Sequence, residues 1–174
     1  MFRKIIFLAL FILPSMLFAQ NKFVGVDACG MCHKSEKQGK QLDIWKSSQH
    51  SKAYETLKSE KADAIAKEKG FDKPAVEVED CLTCHAVGYN VSADLKEKKF
   101  NVEDGVQCES CHGAGSEYKS MKVMKSKEES IKKGLLVYDD AATLCVTCHN
   151  DKSPTFKGFD FEKYWALIKH DVPE

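Results

Sequence analysis

Eight cysteines and six histidines are the residues of this 174-residue chain whose types and spacing could do chemistry. The cysteines fall in four pairs, Cys29/Cys32, Cys81/Cys84, Cys108/Cys111 and Cys145/Cys148, and two residues separate the members of each pair. A histidine follows every pair: His33, His85, His112 and His149. Two thiols three positions apart can each add to one vinyl group of a haem, and the adjacent imidazole is then held under the iron as its proximal ligand. Cys-x-x-Cys-His is therefore the attachment signature of c-type haem, and it occurs here four times. Four disulfides and paired zinc knuckles would also use eight cysteines, but neither requires histidine at the fifth position. Six histidines in 174 residues make four such coincidences a chance on the order of one in a million. The reading is four covalently attached haems, with no cysteine left over.

The same count limits the axial ligands. Once four histidines are proximal, only His50 and His170 remain as distal candidates. A haem with two imidazoles is a low-spin electron carrier, whereas an empty sixth position can bind or reduce a small molecule. At most two haems can then be bis-histidine within one chain. Met121 and Met124 are thioether candidates for the others, against the commoner role of methionine in packing.

The elements that must position these groups are legible only coarsely. Met1 to Ala19 has the layout of a secretory signal: Arg3 and Lys4, then an apolar run from Ile5 to Phe18 broken at Pro14 and Ser15. Cleavage after Ala19 would leave residues 20–174 as one exported domain, in the periplasm or outside the cell. An uncleaved anchor is the competing reading. The whole chain balances 26 Lys+Arg against 26 Asp+Glu, but without Arg3 and Lys4 it carries 24 lysines, no arginine and a net charge of −2. Nothing in that balance suggests nucleic acid. Leu, Ile, Val and Phe make up only 30 residues from Gln20 onward, about 19%, at the edge of what a charged chain needs for a side-chain core. The macrocycles would have to be the core. The fold class expected is mainly α with extensive irregular structure, a compact tetrahaem c-type cytochrome fold.

Trp45 to Lys69 is rich in helix formers and stops at Gly70, which predicts one long or two short helices. His50, Ala53, Tyr54 and Leu57 share a face at helical spacing. Lys119 to Lys133 reads as a solvated helix or loop. Asp139 or Asp140 can cap a short helix carrying Cys145 to His149, and Asp160 a last helix from Phe161 to about His170. Regular turns would aim His170 away from the Phe161, Tyr164, Trp165 and Ile168 face unless the helix unwinds first.

With these motifs placed, the chain resembles the multihaem cytochrome c-554/c-prime family. The likeness rests on Phe23-Val-Gly-Val-Asp-Ala-Cys29, Trp45-Lys-Ser-Ser-Gln-His50, Cys81-Leu-Thr-Cys-His-Ala-Val-Gly-Tyr89, Gly105-Val-Gln-Cys-Glu-Ser-Cys-His-Gly-Ala-Gly-Ser116 and the tail from Phe159 to His170. The resemblance implies distal roles for His50 and His170 and haems stacked closely enough for rapid electron exchange. One departure stands out: relatives often carry a histidine shortly after the third motif, where this chain has Tyr118. That leaves Tyr118, Met121, Met124 or an open site. The function expected is an electron-transfer protein relaying single electrons between redox partner proteins, without stable membrane insertion. The alternatives are a redox enzyme acting on a small nitrogen oxide, hydroxylamine or peroxide at a five-coordinate haem, and a polymerising wire, which the histidine shortage disfavours.

Overall fold

A computed structural model describes residues 20–171. The expected signal segment, 1–19, lies outside them. Ten short helices follow one another: α1 (Val26–Gly30), α2 (Gln41–Ser47), α3 (Ala53–Thr56), α4 (Glu60–Glu68), α5 (Glu79–His85), α6 (Cys108–His112), α7 (Met121–Met124), α8 (Lys127–Lys132), α9 (Ala141–Cys145) and α10 (Phe161–Ile168). Single 3₁₀ turns and irregular chain join them. The described residues contain no strand, only one parallel bridge between Phe23 and Lys96. The mainly helical class expected from the sequence is what forms.

Serine explains why the helices are short. The stretch expected to form one or two helices between Trp45 and Lys69 instead holds the end of α2, a 3₁₀ turn at His50–Lys52, then α3 and α4. Ser47 and Ser48 donate their hydroxyls back to the carbonyls of Ile44 and Trp45 at 2.9 and 2.7 Å, which competes with continued helix, and Ser48 itself is extended. Ser59 then caps α4, accepting from the Ala62 amide at 3.2 Å. Ser120 and Ser126 likewise cap α7 and α8, so the Lys119–Lys133 segment is two short helices. Asp140 caps α9 and Asp160 caps α10, as the sequence suggested.

The side-chain core is small. Its buried apolar members are Val24, Val26, Leu57, Ala66, Ala75, Val78, Ala86 and Tyr118. Leu57, Ala66, Ala75 and Val78 form one cluster beneath α4 and α5, with Phe71 and Leu82 packed on its rim. The backbone seals it: α4 ends with Gly70 left-handed at φ 87°, and the Phe71 amide reaches back to the Ala66 carbonyl at 3.0 Å while its ring joins the cluster. Asp63 ties the same helix to the following turn by accepting from the Ala75 amide at 2.8 Å. Outside this cluster many large apolar side chains remain half exposed, among them Met31, Leu136, Val146, Tyr164 and Leu167.

Gly70→Ala should destabilise the protein by about 1 kcal/mol through the left-handed backbone alone, because nothing lies within 4 Å of the added methyl. Denaturant unfolding of the purified protein measures it.

Candidate functional site

Each Cys-x-x-Cys-His motif is a helical turn. The third motif is α6 itself and the second fills the end of α5. In the first and fourth, α1 and α9 run up to the motif and the turn continues beyond them. The His33 amide bonds the Cys29 carbonyl at 3.1 Å, and the His149 amide bonds the Cys145 carbonyl at 2.9 Å. Residues three and four apart share one side of such a turn, so both thiols and the imidazole project together. All eight cysteines are free thiols. Among the described residues no group of three or more His, Cys, Asp and Glu is arranged to hold a bare metal ion.

The motifs also touch one another. α1 packs on α6, and the neighbouring Cys108 thiol together with burial pushes the Cys29 thiol far above its usual range. Burial, reinforced by the neighbouring Cys145 thiol, pushes the half-buried Cys111 up to about 11. Burial, reinforced by the neighbouring Cys148 thiol, pushes Cys84 up to about 11. Neighbouring thiols thus link the first motif with the third, the third with the fourth and the fourth with the second, unlike the order along the chain.

The two histidines outside the motifs each stand opposite a motif histidine. The ring centres of His50 and His149 are 6.1 Å apart, and those of His112 and His170 are 6.0 Å apart. Two metal–imidazole bonds of about 2 Å, with the distance from each nitrogen to its ring centre, add to about 6 Å. The separation thus fits one metal shared by two imidazoles. Burial pushes His50, His112 and His149 below the usual imidazole range, and the facing imidazoles act in the same direction on His50 and His112. Neutral rings are the metal-binding form. The His112 Nδ1 is buried with no hydrogen-bond partner. His85 Nδ1 lies 2.7 Å from the Ala53 carbonyl oxygen, and His170 Nδ1 lies 3.0 Å from that of Ile168. A carbonyl only accepts, so both Nδ1 atoms carry the proton and both Nε2 atoms are free to ligate.

Backbone anchors fix the two distal candidates. Trp45 Nε1 donates to the Val106 carbonyl at 2.8 Å, and the Val106 amide donates to the His50 carbonyl at 3.2 Å. Trp45 and His50, five residues apart, thus grip one residue just before the third motif. Gly105 makes this possible: at φ 72°, any Cβ would lie 3.0 Å from the His50 carbonyl oxygen and 3.1 Å from the Tyr54 amide. His170 arrives differently. α10 stops at Ile168, Lys169 turns extended at ψ 143°, and the chain unwinds before His170 rather than carrying it around the helix. The Asp171 carbonyl then sits so closely over Gly39 that no Cβ could fit there.

The remaining candidates do not face a motif histidine in this way. Tyr118 is buried, and its hydroxyl lies 2.7 Å from the Gly113 carbonyl and 3.0 Å from that of His112. Burial, reinforced by Cys29, Glu109 and Cys108, holds its phenol protonated. Met121 is 67% exposed. The Met124 sulfur accepts from the Ser130 hydroxyl at 3.8 Å. His33 and His85 are thus the motif histidines with no imidazole opposite.

Two contributors escaped the sequence. Glu109, an unassigned position inside the third motif, is buried and accepts from the amides of Val24, Gly25 and Gly115, each at 2.8 Å. It clasps the approach to the first motif onto the third; burial pushes its carboxyl up, and the three amides oppose that. Phe159 stacks on His149 at 4.5 Å and 12°, and Tyr164 stacks on Phe159 at 5.4 Å. Only the aromatic density of the tail hinted at the second arrangement, and nothing in the sequence at the first.

Glu109→Ala should cost about 3 kcal/mol or more, since it strands three buried amides. Gly105→Ala should cost about 2 kcal/mol by straining the backbone and displacing His50. Denaturant unfolding checks both, with an unchanged transition midpoint as the contrary result.

Residues 28–113 match the family model described as cytochrome c554 and c-prime. Cytochrome c-554 of Nitrosomonas europaea is 36% identical over 117 residues, which cover 64% of this chain and 47% of that protein. The match thus spans about half the length of this relative. No solved structure matches the chain.

Proposed function

Because the chain belongs to the cytochrome c-554 and c-prime family, we propose that it is an exported tetrahaem c-type cytochrome that relays single electrons between redox partner proteins in the periplasm. The four motifs supply eight thioether tethers from Cys29, Cys32, Cys81, Cys84, Cys108, Cys111, Cys145 and Cys148. His33, His85, His112 and His149 are the proximal iron ligands. His50 is the distal ligand opposite His149, and His170 the one opposite His112. Haem supplies the one-electron chemistry; the polypeptide sets its position, ligands and electrostatic surroundings.

The observation that carries this reading is the pair of histidine separations. Both histidines outside the motifs meet a motif histidine, each at the spacing of two imidazoles on one metal. The small core supports it as well. Leu57 and Val78 are among few sizeable apolar side chains that the protein buries by itself, while Leu136, Val146, Tyr164 and Leu167 stay substantially exposed. Four macrocycles would give those side chains a surface to cover.

Conduction needs cofactors in series. The thiols of Cys29 and Cys108, of Cys111 and Cys145, and of Cys84 and Cys148 are near enough to act on one another electrostatically, so neighbouring haems would be close enough for electrons to pass without a diffusing intermediate. No described helix is long and apolar enough to cross a membrane. Lysine side chains provide the positive charge for docking and for contacts with propionates, as point charges in place of the forked contacts of arginine.

The test is the mass and spin state of the exported protein. Mass spectrometry should show four haems on a chain beginning at Gln20, and fewer would overturn the tetrahaem reading. Electron paramagnetic resonance of the oxidised protein should show two bis-imidazole low-spin haems. His50→Ala and His170→Ala should each remove one of those two signals and raise the reduction potential of the haem affected, by potentiometric titration. If neither signal changes, these histidines are not ligands.

A further inference from the structure

The last torsion of a histidine side chain is broad, so an imidazole that ligates a metal needs a second contact to fix the plane of its ring. That contact is usually a hydrogen bond from the other ring nitrogen. His85 and His170 make one, through Nδ1 to the carbonyls of Ala53 and Ile168 at 2.7 and 3.0 Å. The hold on His149 is of another kind: Phe159 lies on its face, 4.5 Å between ring centres and 12° between planes. Among the described residues His149 is the one motif histidine covered by a parallel ring.

Phe159 is itself held from the other side by the start of α10. Asp160 caps that helix, accepting from the Lys163 amide at 3.1 Å, so Phe159 stands just before the cap and Tyr164 is the fourth residue of the helix. Apolar residues at these two positions pack together and fix the angle at which the chain enters a helix. Here both are aromatic, 5.4 Å apart and 5° from parallel. Both separations lie within the range of favourable offset stacking. Three nearly parallel rings result, His149, Phe159 and Tyr164, and the outermost is 45% exposed. The plane of the imidazole is thereby set by a capped helix outside the motif that carries it.

Resting on the four-haem reading above, we infer that Phe159 is a positioning residue: clamped by Tyr164 at the start of α10, it fixes the plane of His149 and with it the angle between the two imidazoles of the fourth haem. The rings of His50 and His149 stand 46° apart, between parallel and perpendicular. Rotation of His149 in either sense therefore changes how the two ligands split the d orbitals of the iron. A plane held from outside keeps the ligand geometry constant while the iron gains and loses an electron.

Electron paramagnetic resonance of the oxidised holoprotein reads that angle, since parallel imidazole planes give a rhombic low-spin signal and perpendicular planes one with a large maximum g value. The signal of this pair is the one that His50→Ala removes; if it removes none, the ligand assignment itself fails before Phe159 is tested. Phe159→Leu keeps an apolar side chain but no flat face. It should shift the maximum g value of the His50-dependent signal and broaden it, while the signal removed by His170→Ala stays as it was. Phe159→Tyr, which keeps the ring, should retain the original signal. The inference is overturned if Phe159→Leu leaves the His50-dependent signal unchanged, if it shifts both signals alike, or if Phe159→Tyr has the same effect as Phe159→Leu. Should Phe159→Leu not yield protein with its full haem content, Tyr164→Leu, at an exposed position, takes its place. It removes the outer ring of the clamp and should move the same signal alone; an unmoved signal overturns the inference.

Discussion

Two pairs of imidazoles held about 6 Å apart by distant parts of the chain are the constraint on which the rest of the structure depends. Rings at that separation have little attraction of their own, and closing long loops around them has an entropic cost. The chain meets this cost through backbone geometry. Val106 is gripped from both sides by Trp45 and His50, Gly105 admits the approach, and Gly39 admits the carbonyl of Asp171. Each device sits within a few residues of a paired histidine. The helices serve the same end, because they are cut short where a histidine must leave the helical path: Ser48 before His50 and Lys169 before His170.

Glu109 has a different role. A buried carboxylate receiving three amides is stable only while all three are in place, so it makes the approach to the first motif and the loop after the third interdependent. Solvent-exposed pairs such as Lys58–Glu103 and Lys119–Glu97 contribute much less, each about 0–1 kcal/mol. The negative charge of Glu109 also lies beside the attachment thiols of two motifs, as its influence on Cys29 and Cys108 shows. On the proposed reading, it favours the oxidised state of the haems tethered there, by Coulomb attraction in a medium poorer than water.

The attachment motifs were legible in the sequence because they are local: five residues on one turn carry their whole geometry. The caps at Asp140 and Asp160 and the stop at Gly70 were legible for the same reason. The partnership of His50 with His149 and of His170 with His112 was not, because it depends on contacts between remote segments. Nothing in the composition of α10 says that it stops at Ile168, yet that stop decides whether His170 faces His112. The helices between Trp45 and Lys69 were read as too few, because propensity summed over a window hides three serine hydroxyls that return to the backbone. Glu109 was invisible at a motif position where the attachment chemistry is indifferent to the residue, although the packing is not.

The spatial order of the motifs gives the histidine shortage a location. Had the two unpaired motifs been the middle members of the series, a ligand from solution would have acted on the conducting path itself. They are the first and second motifs, and these occupy the two ends. On the tetrahaem reading, both middle members have protein ligands on each side, and burial keeps the imidazoles of His50, His112 and His149 neutral. Six coordination fixed by the chain limits the rearrangement that accompanies electron gain or loss. On that same reading, the ends are where the chain offers no second imidazole, and scarcity of histidine would set a protein-ligated interior apart from two ends through which electrons enter and leave.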